Sequence, residues 1–409
     1  MTTKSKYGLI LYGMLLSTGI ALIAFLFLIL EKASSHFLWH SLPHHLKSSG
    51  LYHFLLLFLG FLLLLLLKKK WGNLPKTSHD LIHELKEKQT VDYHHTWKSL
   101  LLALIILSLG AGVGPEAPLL GAVIAYSIWQ ADKMRYLSQH PDNFKTAKLT
   151  QKLAMLFHPY QYLTNYQESA TLLSEKQRKL LIGLFSLNGL IVLSLLMKAT
   201  DQPSFITKLG TSQWGLSELL LLIPLLTYAY GFGAIYQLVR SKMKKQIEKL
   251  QLSLVTKLGI GAISIFITAS FAPSLLFSGQ HSMHDLVELG MTTPFISLIF
   301  LSILKLIFLD ICVWTGWTGG DIFPISFAAI MHGFAIAQYF PNYDALFIIL
   351  VVALSLAISL LEKEWLAAIF ISLFFPINLW PISILITFLF ILSKQFTSSH
   401  QKGEPHETL

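Results

Sequence analysis

Glu116 stands in the segment Gly110 to Gly121, reading GAGVGPEAPLLG, inside an otherwise apolar stretch from Leu100 to Ile128. A carboxylate in such surroundings is costly enough, if the stretch crosses a membrane, to mark a functional site by default. A second glycine-rich break, Gly316 to Pro324, reads GWTGGDIFP and again opens an apolar run. A helix starting at Pro115, or near Asp321, leaves its first N–H groups pointing at the break, and its dipole adds about half a positive charge there. The natural ligand of such an end is an anion. Proline fits the first turn, where its missing N–H would have had no partner.

The Glu116 carboxylate can itself occupy a site of this kind. It would compete with a passing anion, and its protonation or displacement would vacate the site, giving a gate responsive to pH or to anion concentration. The plainer role for Glu116 is to cap a helix start, where acidic residues are favoured. For Gly319 and Gly320 the plainer role is close helix packing. Asp321 is expected to cap its helix through its side chain and to point away from an anion path, which its charge would disfavour.

The elements that position these breaks are membrane helices. Of 409 residues, 54% are hydrophobic and only 13% charged, against roughly 25% charged in soluble domains. A spanning helix needs about 20 apolar residues, and the chain offers runs at Gly8 to Leu30, Leu51 to Leu67, Thr96 to Leu109, Leu180 to Met197 and Gly215 to Val239. Further runs are Leu254 to Leu276, Pro294 to Val313, Ile322 to Phe340, Ala345 to Leu361 and Trp365 to Leu392. Their uneven lengths predict an all-α polytopic membrane protein of tilted and broken helices. The first run lacks a cleavage signature and is expected to be a true span. Residues 1–394 form one transmembrane domain in this reading, with 395–409 a short polar tail.

The net charge of +9 does not call for nucleic acid, because the basic residues flank apolar runs: Lys4 and Lys6, Lys68 to Lys70, and Arg240 to Lys249. Positive loops face the cytoplasm, so both termini are placed inside, and the Arg240 to Lys249 cluster is expected to be a plain topogenic cytoplasmic loop, with binding of anionic lipid as the alternative. Lys68 to Lys98, with Leu81, Ile82 and Leu85 on one side, predicts an amphipathic segment at the membrane surface. Met134 to Lys179 and Gln246 to Lys257 are expected to be cytoplasmic connections. Among 16 histidines, His36, His40, His44, His45 and His53 lie between the first two runs and are expected to be solvated. His79 and His83 lack the HExxH order of a zinc site. Cys312 is the one cysteine, so neither a disulfide nor a cysteine metal cluster is available. No metal, no cofactor and no enzymatic motif such as GxSxG is read.

Two glycine- and proline-interrupted segments at corresponding places in two halves are the sequence mark of an inverted-repeat transporter. Gly114-Pro115-Glu116-Ala117-Pro118 resembles the Gly-Lys/Arg-Glu-Gly-Pro motif of the CLC family of chloride channels and proton/chloride antiporters. Gly319-Gly320-Asp321-Ile322-Phe323-Pro324 resembles its Gly-x-Phe-x-Pro motif, with the phenylalanine one place late. The stretch Pro273 to Gly279, reading PSLLFSG, fits as well. The resemblance covers most of the chain and stops before the cytoplasmic regulatory domains that some members carry. It implies a CLC-like inverted repeat, a homodimer in a bacterial plasma membrane, one pore per subunit, and chloride or a similar small anion as cargo. It further implies a gate at Glu116, a central anion on the backbone amides of Asp321 and Ile322, and an outer one on those around Glu116 and Ala117. Gly114, Gly320 and Phe323 complete this anion-binding set.

The departures are specific. The family's Gly-Ser-Gly-Ile-Pro motif matches only Trp71-Gly72-Asn73-Leu74-Pro75, with Gly72 in place of the serine. No tyrosine follows Tyr343, so the pore tyrosine is missing. Where proton-coupled members carry an inward glutamate, Lys198 to Pro203 offers only Asp201. The missing glutamate favours a passive channel over a proton-coupled antiporter, and the missing serine and tyrosine leave a transport-inactive scaffold as the reading of another class.

Overall fold

The computed structural model describes residues 3–43, 49–72, 74–76, 78–88, 90–165, 174–200, 208–283 and 285–401. Regular structure among them is helical: α1 Thr3–His36, α2 Ser49–Trp71, α3 Ser78–Lys88, α4 Thr96–Ser108, α5 Glu116–Gln139, α6 Pro141–Thr146, α7 Leu149–Phe157 and α8 Glu175–Ala199. Then come α9 Leu219–Lys249, α10 Leu254–Phe271, α11 Leu286–Thr292, α12 Phe295–Trp314, α13 Ile322–Ala337, α14 Ala345–Leu361, α15 Glu364–Ser372 and α16 Trp380–Gln401. Seven spans among the described residues are long and apolar enough to cross a membrane: Tyr7–Ser41, Gly50–Trp71, Glu175–Ala199, Leu219–Lys249, Leu254–Phe271, Phe295–Trp314 and Ile377–Gln395. Three further apolar helices, α4, α13 and α14, are shorter. The protein is an all-α polytopic membrane protein.

The chain forms two compact units, one of residues 1–52, 62–109 and 115–204, the other of 53–61, 110–114 and 205–409. In the first, α1 packs against α4, α5 and α8, and α3 and α4 pack against α5. The amphipathic segment forms α3, and part of its apolar side meets protein. Its Leu81 is buried and, with Leu85, packs on Val91, Tyr93 and Ala125, while Ile82 stays exposed. The Leu81 and Leu85 side of α3 is thus covered by protein.

The second unit is built around α14, in which every residue from Leu346 to Leu360 is buried. A helix apolar on all sides belongs in a core, and α9, α13, α15 and α16 pack around it. Asp344 caps its start by accepting the Phe347 N–H at 2.8 Å, and the left-handed Glu362 (φ 56°) ends it. One long run resolves into parts, and one expectation is corrected. Trp365 to Leu392 is two helices, parted at Pro376, which begins a short 3-10 turn, Ile377–Leu379. Arg240 to Lys249 is the last part of α9 rather than a loop. Good helix formers such as Lys, Met, Gln and Glu let α9 run on past its apolar portion. The C-terminal helix likewise runs on past its apolar portion, to Gln401.

Candidate functional site

Both breaks form as the sequence predicts. In the first, Gly110 takes φ 83° after the end of α4, a conformation that glycine adopts without steric cost. Five residues on, Pro115 stands at the N-cap of α5 and Glu116 opens the helix. In the second, Gly316 takes φ 87° after α12, Asp321 occupies the N-cap of α13 and Ile322 opens it. Gly114, Glu116 and Pro118 have the same mutual spacing as Gly320, Ile322 and Pro324.

Within the second unit the two breaks are joined directly. The Gly114 N–H donates to the Gly320 carbonyl at 2.7 Å, and the Gly320 N–H donates to the Gly114 carbonyl at 2.7 Å. These two amides, expected among the anion donors, are committed to each other. The approach admits no side chain nearby: a Cβ on Gly319 would meet Val113 Cγ2 at 2.5 Å and the Gly114 carbonyl at 3.0 Å.

The amides that precede the helical ladders are those next in sequence. The first bond of α5 runs from Leu119 N–H to the Pro115 carbonyl at 3.0 Å, so Glu116 and Ala117 carry N–H groups ahead of the ladder and Pro118 has none. The first bond of α13 runs from Ile325 N–H to the Asp321 carbonyl at 3.0 Å, which places Ile322 and Phe323 in the same position, with Pro324 bare. Glu116 is half-buried, its Oε2 closed from solvent. Asp321 is exposed and, against expectation, makes no side-chain cap. The Phe323 ring packs edge-on against Phe370 at 4.7 Å.

The far end of α5 is held firmly. Lys133, fully buried, donates to the Met155 carbonyl at 3.2 Å and the Gln161 carbonyl at 2.6 Å. Asp132 pairs with Arg135 and accepts from Tyr93 Oη at 3.2 Å. Glu116 therefore begins a helix whose other end is tied by side chains to the 155–164 segment.

The wall behind the first break is α12. Phe308 lies against Gly112, whose added Cβ would sit 2.5 Å from the ring, and Cys312 Sγ accepts the Gly112 N–H at 3.3 Å. Lys305, one turn before Phe308, donates to the Leu275 carbonyl at 2.8 Å and to that of Phe277. Phe277 N–H donates to the Gly110 carbonyl at 3.3 Å. The PSLLFSG stretch is thereby bound to both α12 and the first break.

Several polar groups in apolar surroundings escaped the sequence reading. Asp310 is buried and pairs with Arg240 at 2.7 Å and with Tyr236 Oη at 2.7 Å. His332 is fully buried in α13, with Tyr228 Oη 2.9 Å from Nε2 and Ser302 Oγ 3.2 Å from Nδ1. The signal was present, because Lys305 and Asp310 interrupt the run Pro294 to Val313 and intramembrane ionisable residues mark function or pairing. Of the weaker candidates, Gly72 follows α2 at φ 73° and is exposed, and Asp201 lies outside the described residues. His36 and His40 stack at 5.2 Å, and no group of three metal-ligating side chains occurs among the described residues.

Comparison with known proteins agrees with this architecture. The model of the voltage gated chloride channel family matches residues 175–386, just over half of the chain. A crystal structure of a CLC-type fluoride/proton antiporter superposes with a TM-score of 0.59 at 14% identity, covering 95% of each chain. That of a slow cyanobacterial Cl−/H+ antiporter gives 0.59 at 15% identity, covering 89% of this chain and 94% of the other. A search of curated proteins finds no match. The helical order, the paired breaks and the family match lead to one conclusion: this chain belongs to the voltage gated chloride channel family.

Proposed function

We propose that the protein transports chloride or a similar small anion across a membrane, with Glu116 as the gate. One observation carries the reading: a glutamate opens a helix at a glycine-rich break that is tied, through Gly114 and Gly320, to a second break opening another helix. Backbone amides of Ala117, Asp321, Ile322 and Phe323 attract the anion, and so does the Glu116 carboxylate's own binding place once it is vacated. Amide dipoles bind weakly enough for ions to leave, as conduction requires. Gly114 and Gly320 hold the breaks in register. The functional form is a homodimer in a lipid bilayer, with both termini cytoplasmic.

Passive conduction is the first reading, because the region of the second glutamate in proton-coupled members offers only Asp201. Proton-coupled exchange is the second, raised by the antiport named in the descriptions of both similar structures. Proteoliposomes loaded with chloride, nitrate or fluoride, with internal pH followed during efflux, separate them. Efflux without uphill proton movement supports the channel, and proton movement in fixed ratio supports exchange. A folded protein that passes none of the three anions is a membrane scaffold, and the transport reading fails.

A further inference from the structure

Lys305 is a basic side chain whose burial its hydrogen bonds alone do not explain. It is 0% exposed in α12, bonded to the carbonyls of Leu275 and Phe277, with its ammonium 5.7 Å from the Phe308 ring centre and 5.9 Å from that of Phe327. Among the described residues no carboxylate pairs with it. Burying an ammonium is expensive unless a counter-charge is near. Two carbonyls could be satisfied at lower cost by a neutral amide donor. A basic side chain at this place therefore calls for a further role.

Its place suggests which. Lys305, Phe308 and Cys312 share one face of α12, at helical spacing. Phe308 and Cys312 contact Gly112 directly, and Lys305 reaches Gly110 through one intermediate, the Phe277 N–H. Phe327, whose ring Lys305 approaches, stands one helical turn into α13, past its N-terminus at Ile322, and fills the space above Gly279. The ammonium is thus set between the first break and the start of α13, in a low-dielectric interior where charge acts over distance.

We propose that Lys305 is a positioning and charge-setting residue of the anion path: its ammonium fixes the PSLLFSG loop and first break, and its positive charge, balanced by the anion in transit, sets anion affinity. This rests on the transport reading above. The side chain does not touch the anion; it acts through the field it adds to the helix-terminal amides and through the loop it holds.

The test is chloride and fluoride binding to the purified, detergent-solubilised protein by titration calorimetry, with thermal unfolding followed in parallel. Lys305→Gln keeps an amide donor for the two carbonyls and removes the charge; Lys305→Met removes both. Both are expected to weaken anion binding at least tenfold, with Lys305→Met also lowering the unfolding temperature, while Lys305→Arg stays within about threefold of wild type. A folded Lys305→Gln or Lys305→Met protein with wild-type affinity overturns the proposal. So does a tenfold loss in folded Lys305→Arg, which decides the matter if the neutral variants do not fold. Failure of wild type to bind or pass any of these anions would instead sink the transport reading itself.

Discussion

Gly114 and Gly320 exchange N–H donors with each other's carbonyls at 2.7 Å in both directions. This pairing of equivalent residues in two similar breaks means that neither break can shift without the other. Non-helical backbone at membrane depth survives only where its polar groups are satisfied or face a polar cavity. Here one mutual pair satisfies two donors and two acceptors at once. Gly319→Ala is expected to separate the breaks, because its Cβ would collide with Val113 and the Gly114 carbonyl. Overpacking of this kind costs about 1–3 kcal/mol. Flux should fall together with the thermal midpoint, whereas Gly8→Ala, with open space at its Cβ, should change neither.

The buried carboxylate of Asp310 has two partners, Arg240 and Tyr236. Removing one side of such a pair leaves an uncompensated charge and costs about 3–5 kcal/mol. Arg240→Gln is expected to lower the unfolding temperature clearly. Adding Asp310→Asn in the same chain should restore part of the loss, since the lone charge is then gone. Thermal unfolding of the two single variants and the double variant checks this, and strict additivity would count against a coupled pair.

Acid should weaken the loop that leads into α9. Glu218 accepts from the Gly215 N–H at 2.8 Å and from Ser217 Oγ at 2.8 Å, and these bonds hold its carboxyl below the usual glutamate range. A carboxylate depressed in the folded state stabilises it above the unfolded value, and that contribution is lost as pH falls through the folded value. Stability measured from pH 7 downward should therefore decline through the carboxylate range, and Glu218→Gln should begin lower and decline less steeply. Equal slopes in the two proteins would show that Glu218 is not linked to folding.

The α3 face offers a contrast within one helix. Leu81→Ala empties a place in a packed cluster and should cost about 2–4 kcal/mol, whereas Ile82→Ala, on the exposed side, should be nearly neutral. Were α3 a surface anchor instead, vesicle binding rather than stability would respond, and to both substitutions.

The helices were legible because each apolar run is long or distinctly bounded, and the breaks because glycine and proline interrupt those runs with a carboxylate beside them. Apolar periodicity could place Leu81 and Leu85 on one face but could not say whether protein or lipid would cover it, since both are apolar solvents for leucine. The continuation of α9 through Lys249 was hidden because lysine suits both a helix and a positive loop. The mutual bonding of Gly114 and Gly320 was beyond the sequence, which identifies amides without a helical partner but not where a distant strand of backbone will meet them. Lys305 was readable by the rule applied to Glu116 and was passed over because no motif surrounds it.

The most direct test of the gate is the substitution Glu116→Gln, made in protein reconstituted into proteoliposomes and compared with wild type for chloride efflux across a range of pH. A neutral side chain cannot compete with the anion as a carboxylate does. The account predicts that wild-type efflux rises as pH falls and Glu116 protonates, and that Glu116→Gln is altered in rate and loses that dependence. Efflux from Glu116→Gln that matches wild type in rate and in pH dependence would contradict the gate.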